Sequence, residues 1–292
     1  MVGMDPLRCP VPGLPRFETS HLERSTAVPG SHLVTGPQER NRTVSGWTLF
    51  LAGCHSDAMA AWDSEVAGPR SAAAYGRRGS AQLLLGQPEL ALEDFRAERR
   101  LAQHRHADPW IGIAFWQMGR NETACEDWSG VIDALHRREV ELVDVAGGVE
   151  LPAILWSASA YPELREWRSP AARELRRRWR TQRCQRSRWP GTIAGFLLGE
   201  RSAEDLLSAS ASPAEMLQHR QRAEAHFYLG AAALDSGDSA EYHRRLELAV
   251  AENPIPIDAA YYLARAELAR LTGQRLPVPI GDWSTHDRPQ RS

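Results

Sequence analysis

The sequence predicts an all-α protein that consists of helical hairpins in an interrupted α-solenoid. Two stretches share one pattern at an offset of 33 residues, and the matching positions are Gly79 and Gly112, Gly86 and Gly119, Ala91 and Ala124, and Phe95 and Trp128. In each stretch a small residue lets two helices touch, a glycine turns the chain, and an alanine and an aromatic residue complete the second helix. Repeats of this kind form binding surfaces. The composition, with 42% hydrophobic and 25% charged residues, is ordinary for a globular protein.

The two matching stretches lie within residues 70–134, and each resembles a tetratricopeptide (TPR) unit. A period of 33 is also typical of ankyrin repeats, but the T-P-L-H signature of that family is absent from the sequence. The central glycine also falls midway between two helical stretches of similar length. We therefore expect two consecutive TPR units here.

A third, degenerate TPR unit is predicted within residues 218–273. Leu229, Gly230 and Gly237 follow the template, whereas Tyr242 stands where the template has alanine. A further helix, predicted from about Asp258 to Leu271, would cap the array.

The two ends of the chain differ from this helical region in composition. Residues 1–45 are rich in proline, glycine, serine and threonine, so they are predicted to be disordered or to be a misannotated leader. Residues 274–292 are predicted to be an irregular tail.

Residues 46–57 contain a candidate end of a bacterial lipoprotein signal. The tetrapeptide Leu51-Ala52-Gly53-Cys54 matches a lipobox, in which the cysteine is acylated after cleavage of the preceding peptide bond. An apolar stretch from Trp47 precedes it, with Arg40 and Arg42 ahead of that stretch, although a signal normally lies within about 30 residues of the start. A translation start near Val34 would reconcile the position. The alternative is that this segment is an ordinary apolar helix.

Residues 135–217 form a non-repeat helical region. Helices are predicted from Leu151, from the Ser169-Pro170 pair, between Trp189 and Gly199, and after Ser202, which has acidic residues in the following turn. The helix after Ser169 has an apolar stripe and an opposite basic face; that face consists of Arg173, Arg176, Arg177 and Arg180.

The order of these parts resembles the NlpI-like TPR lipoprotein family. The segments WPGTIAGFLLGERSAEDLL and AEAHFYLGAAALDSGDSAEYHRRLELAVAENP are similar to the C-terminal half of that family, and YGRRGSAQLLLGQPELALEDF is similar to its central repeat. The resemblance covers roughly residues 70–270. It implies a lipoprotein of the outer membrane that recruits proteases or peptidoglycan enzymes and often dimerises. The family's additional N-terminal repeats are missing from this chain, so a partner site formed there is not carried over.

The function predicted from these features is that of a non-enzymatic protein–protein adaptor. The first helices of the TPR units would line a partner-binding groove, for which we select His106, Trp116, Glu224 and Phe227. Packing between helices is an alternative role for Trp116. No P-loop, dinucleotide-binding, nucleophile-elbow or zinc-protease motif is present, so no catalytic residue, cofactor or metal site is predicted.

The alternative function is binding of an anionic polymer, RNA or DNA, by a cytoplasmic protein. Residues 165–188 contain ten arginines and two glutamates, whereas the whole chain has a net charge of −2 and no lysine. Those arginines would neutralise phosphates, unless acidic residues of neighbouring repeats compensate them. The predicted location is periplasmic, anchored to the outer membrane if Cys54 is lipidated, and otherwise cytoplasmic.

Overall fold

The computed structural model describes residues 45–68, 71–102, 106–142, 148–181, 186, 188–252 and 258–278. Over these ranges the chain is all-α, as predicted, with thirteen α-helices, one 3-10 helix and a single β-bridge between His106 and Glu141. The predicted disorder of the N-terminal segment falls on residues 1–44, outside the described residues, as does most of the predicted tail.

The helices follow one another through short connections. Their bounds are α1 Gly46–Leu51, α2 His55–Val66, α3 Ser71–Leu84, α4 Pro88–Leu101, α5 Trp110–Gln117, α6 Asn121–His136, α7 Glu150–Ala158, the 3-10 helix Pro162–Trp167, α8 Arg168–Thr181, α9 Gly191–Leu197, α10 Ala203–Ala209, α11 Glu215–Asp235, α12 Ser239–Ala251 and α13 Ala259–Thr272.

Three pairs of helices that are neighbours in the sequence pack along their lengths: α3 with α4, α5 with α6, and α11 with α12. The predicted turn glycines lie between the helices of these pairs. Gly86, Gly119 and Gly237 have φ angles of 65°, 73° and 84°, in the left-handed region that a glycine adopts without a steric cost. The short turn that each glycine allows brings the second helix back against the first.

The small–aromatic contacts expected from the repeat are present in both matching stretches. A Cβ atom added to Gly79 would lie 2.8 Å from the ring of Phe95, and one added to Gly112 would lie 2.1 Å from Nε1 of Trp128. These distances are shorter than any real carbon contact, so each aromatic ring occupies the space that the glycine leaves. The small residue at the start of the template is therefore required by packing.

The middle region matches its predicted helices except at one boundary. Ser202 caps α10 in a capping box with Asp205, as the sequence indicates. Ser169, predicted to begin a helix, lies inside α8, because the 3-10 helix Pro162–Trp167 runs directly into it. The 3-10 helix was not predicted from the sequence, because a Ser-Pro pair is also typical of the first turn of an α-helix.

Helix α13 does not simply cap the end of the chain. It packs on α11 and α12 and also on α5, a helix of the second matching stretch. Phe95 stacks on Trp110 with ring centroids 5.9 Å apart, and Trp110 meets the edge of Tyr262 at 5.2 Å, so the aromatic contacts run from α4 through α5 to α13. One continuous apolar core therefore includes both repeat regions.

Two glycine-to-alanine variants test this packing with the same chemical change. Gly112→Ala should lower the free energy of unfolding by about 1–3 kcal/mol, because its methyl group overlaps Trp128. Gly130, in α6, has no atom within 4 Å of an added Cβ. Gly130→Ala should therefore raise stability by about 0.5–1 kcal/mol through helix propensity. Denaturant unfolding of the three proteins checks both signs, and equal effects would contradict the close approach at Gly112.

Candidate partner-binding site

The side chains predicted to line a groove do not lie along one open surface. Trp116 and Phe227 are buried, with 7% and 5% of their surface exposed. Trp116 packs against Trp128 and Tyr161, with ring centroids 5.8 and 6.0 Å away. In this structure Trp116 packs between helices, which is the alternative role considered from the sequence. The face of α5 that was expected to meet a partner is covered by α13 of the same chain.

The buried carboxylate of Glu267 in α13 organises this covered face. It accepts a hydrogen bond from Trp116 Nε1 at 2.7 Å, from the Tyr242 hydroxyl at 2.7 Å and from Arg270 at 2.9 Å. The Tyr161 hydroxyl donates to the same carboxylate. Burial and the nearby negative charge of Glu267 raise the pKa of both tyrosines, so both remain protonated donors. A buried charge with this many donors is satisfied within the fold.

A small cavity remains beside this carboxylate. It has a volume of about 20 Å³, and Phe227, Trp116, Ser157 and Tyr242 are among its lining residues. That volume suits one water molecule, and the polar lining would hold it. It is too small for a side chain of a partner.

Glu224 has a partner within the chain as well. Its carboxyl group accepts a hydrogen bond from Trp189 Nε1 at 2.9 Å. Burial raises its pKa, and the negative charges of Asp258 and Glu150 raise it further. Arg220, which would offset this effect, donates two hydrogen bonds to Asp258 at 2.6 and 2.7 Å. Glu224 therefore joins the α8–α9 connection to α11 in this structure.

His106, the remaining residue selected for the groove, lies at a surface groove between α4, α5 and α6. The groove encloses about 610 Å³, within the range of sites that bind small molecules or side chains, about 300–1,000 Å³. Ile111, Phe115 and Val131 form its apolar floor, and Arg96, Arg99 and Arg100 line it from α4. We call this feature the α4–α6 groove.

The arginines of the α4–α6 groove differ in their partners. Arg99 is paired with Asp127 at 3.4 Å. Arg96 and Arg100 are exposed and form no ion pair with a described residue, although the Arg96 guanidinium lies 5.8 Å from the centre of the Phe115 ring. Sequence reasoning missed both, because they lie on a second helix, whereas the prediction considered only first helices. Their spacing of four residues in α4 was the available signal.

A second surface cleft, of about 650 Å³, lies near Gly86, Gly119 and α13. Two of the arginines that line it are occupied. Arg270 donates to Glu267, and Arg265 donates to the carbonyl of Pro277 at 2.7 Å, which fixes the chain after α13 across this cleft. The third, Arg275, forms no ion pair with a described residue, so one arginine of this cleft is without a partner, whereas the α4–α6 groove has two, Arg96 and Arg100.

The predicted basic face of α8 is present and exposed. Arg177 lies 3.7 Å from Glu174, whereas Arg173, Arg176 and Arg180 form no ion pair with a described residue. Compensation by acidic residues of neighbouring repeats, the alternative considered from the sequence, is thus not seen for these three. The nearby Trp179 is half-buried and has the Arg186 guanidinium 5.2 Å from its ring centre.

The candidate lipoprotein junction is folded into the protein. Phe50 of α1 is fully buried, and Trp47 meets Trp62 of α2 edge to face at 5.3 Å. Cys54 is 5% exposed and forms a disulfide bond. Lipidation of Cys54 stays a prediction, and it requires a free thiol and removal of α1 from Trp62. Cys125 is a free thiol that is buried in the core.

The described part of the chain has neither a metal site nor a membrane-spanning helix. No group of three or more His, Cys, Asp and Glu side chains there is placed to hold a metal ion. Within the same ranges, no helix has both the length and the apolar character needed to cross a bilayer. No protein-family model matches the sequence. No curated protein matches it either.

Glu98, near the α4–α6 groove, should give the protein a measurable pH dependence. Burial raises its pKa to about 7 from an ordinary value of 4.5. Asp108 and Asp94 raise this pKa as well, and Arg77 and Arg99 oppose them. Because the folded protein binds this proton more tightly than the unfolded chain, the contribution of Glu98 to stability falls as pH rises from about 4.5 to 7 and stays low above 7.

Glu98→Gln removes this titration. The stability of the variant relative to the wild type should therefore increase between pH 4.5 and pH 7. Denaturant unfolding at a series of pH values measures the difference, and Glu93→Gln, at an exposed position of the same helix, is the matched control. A constant difference between Glu98→Gln and wild type across this range would show that Glu98 has an ordinary pKa.

Proposed function

We propose that this chain is a non-enzymatic adaptor that binds a partner protein in the α4–α6 groove. The observation that supports this proposal is the groove itself, which combines an apolar floor with unpaired arginines on a rigid helical frame. The groove first expected along α5 is covered by α13. Of the two surface clefts described above, the α4–α6 groove is the one whose apolar floor is lined by two unpaired arginines.

We further propose that the adaptor is of the NlpI-like TPR lipoprotein type. The glycine–aromatic contacts of α3 with α4 and of α5 with α6 support TPR units, because they are the contacts that the TPR template requires. The interruption by α7 to α10, followed by the α11–α12 pair, supports the family resemblance. Under this proposal the partners are envelope proteases or cell-wall hydrolases, the protein forms a homodimer, and Cys54 holds it at the outer membrane.

Binding of RNA or DNA by a cytoplasmic form is a second candidate function. The three unpaired arginines on the exposed face of α8 favour it, since guanidinium groups without a protein partner are available to phosphates. The tryptophans near this face do not add to it. Trp189 donates to Glu224, and Trp179 is half-buried under Arg186, so neither offers an open ring to a base.

Site-specific photo-crosslinking tests the adaptor proposal. A photoreactive amino acid at Ala134, which lines the α4–α6 groove, should capture a partner protein in cells that produce the chain. The same amino acid at Ser208, exposed on α10, is the control. Mass spectrometry of the captured proteins should identify proteases or cell-wall hydrolases from Ala134 alone. Equal capture from both positions, or no capture from Ala134, would contradict a partner site in this groove.

The native N-terminus tests the lipoprotein part separately. If the lipobox is used, intact-mass measurement of protein from the producing cells should give a chain that begins at Cys54 and carries added acyl mass. In that form α1 is absent, so Trp62 should become more accessible to solvent than in the full chain. A mature chain that retains residues before Cys54 and has no acyl mass would rule out this anchor and leave the groove proposal standing.

A further inference from the structure

The charge of the α4–α6 groove is not balanced by its own lining. Arg99 pairs with Asp127, and Arg137 pairs with Glu139 at 2.8 Å, so these four groups cancel. Arg96 and Arg100 are left without a carboxylate among the described residues. The surplus at the groove is therefore positive.

A third unpaired arginine, outside the lining of the groove but near its floor residue Phe115, adds to this surplus. The guanidinium of Arg120, at the start of α6, lies 4.6 Å from the centre of the Phe115 ring, and Arg96 approaches the same ring from α4. Arg120 is exposed and has no ion pair with a described residue. Two positive groups thus lie within 6 Å of the centre of the Phe115 ring, and each guanidinium has a planar set of donors suited to a carboxylate.

The floor between these arginines is apolar. Ile111, Phe115 and Val131 are each less than 9% exposed and form the base of the 610 Å³ groove. An apolar side chain that entered the groove would lose contact with water against these residues. A ligand that fits the whole site has negative charges with an apolar group between them.

These features distinguish a protein segment from a nucleic acid. A single-stranded nucleic acid requires open aromatic faces on which its bases stack. Phe115 is only 6% exposed, and two guanidinium groups already lie near its ring. The site therefore lacks a platform for bases but retains positions for carboxylates and one apolar side chain.

We propose that the α4–α6 groove binds an acidic segment of a partner protein, with glutamate or aspartate side chains on Arg96, Arg100 and Arg120 and an apolar side chain on the floor between them. This inference rests on the proposed adaptor function and specifies the chemistry of its partner.

Fluorescence anisotropy with a labelled peptide of alternating glutamate and leucine tests the proposal on the full chain. This peptide should bind, and its affinity should fall as salt concentration rises. Peptides in which glutamine replaces glutamate, or serine replaces leucine, should each bind at least about tenfold more weakly, a difference of about 1.4 kcal/mol. Equal binding of either substituted peptide would overturn the proposal, as would no binding of the glutamate–leucine peptide.

Two groove variants locate the binding. Arg96→Glu combined with Arg100→Glu should weaken binding at least about tenfold, a difference of about 1.4 kcal/mol. Arg173→Glu combined with Arg176→Glu changes net charge equally on α8 and should have little effect. Gly130→Leu fills part of the groove from a position with free space around its Cβ and should also weaken binding. Circular dichroism verifies that each variant is folded. Equal losses in both double variants would show nonspecific charge attraction and overturn the proposal.

Labelled polyuridylate tests whether the groove binds a nucleic acid instead of an acidic protein segment. It should bind the wild type more weakly than the glutamate–leucine peptide does and should not compete with that peptide. If polyuridylate displaced the labelled peptide at a lower concentration than the unlabelled peptide does, the proposal would be overturned in favour of a nucleic acid. If Ala134 captures a partner in cells but no acidic peptide binds, the adaptor function stands and the partner chemistry is wrong; if no partner is captured at Ala134, the adaptor function itself fails.

Discussion

The docking of α13 onto α5 is the contact on which the rest of the structure depends. It joins the last helix to the second matching stretch through Glu267, which accepts hydrogen bonds from Trp116, Tyr161, Tyr242 and Arg270. Removing a buried charge from water costs several kcal/mol, and this cost is recovered only when all its hydrogen bonds are made together. The arrangement therefore requires α5, the start of the 3-10 helix, α12 and α13 to be in place at once, which makes these elements one cooperative core.

This docking also explains where a partner can bind. An α-solenoid normally leaves the inner face of its first helices open, but here α13 covers α5 with Tyr262 against Trp110 and Glu267 against Trp116. An open surface remains at the α4–α6 groove, where the guanidinium groups of Arg96 and Arg120 both lie within 6 Å of the centre of the Phe115 ring. The aromatic residues of α5 that could have contacted a ligand pack within the fold instead. The unpaired charges lie at the α4–α6 groove.

The sequence predicted the parts of the fold that local rules determine. Glycine at a left-handed turn and glycine beneath an aromatic ring are both readable at fixed spacing, so Gly86, Gly112 and Gly119 were assigned correctly. The Ser202 cap was equally local. Contacts between distant residues were not readable: Trp116 and Glu267 are 151 positions apart, and no spacing rule links them. Helix α1 was considered only as the alternative to a lipoprotein signal, since the same apolar residues suit a signal and a helix packed on Trp62, and α2 was not predicted.

Tyr242, at the position where the predicted third unit departs from its template, connects these local and distant levels. Tyr242 stands where the template has alanine. Because a tyrosine is much larger than an alanine, the template alone predicts that it weakens the close contact of α11 with α12. The Tyr242 ring packs beside Gly230 of α11, where a Cβ added to the glycine would lie 3.4 Å from the ring and 3.2 Å from Cβ of Arg245. The hydroxyl of Tyr242 then extends to Glu267 at 2.7 Å. An alanine at this position would pack against α11 but would leave one donor fewer for the buried carboxylate. The Tyr242 hydroxyl is thus one of the contacts through which α12 holds α13 against α5, and this docking leaves the α4–α6 groove as an open surface.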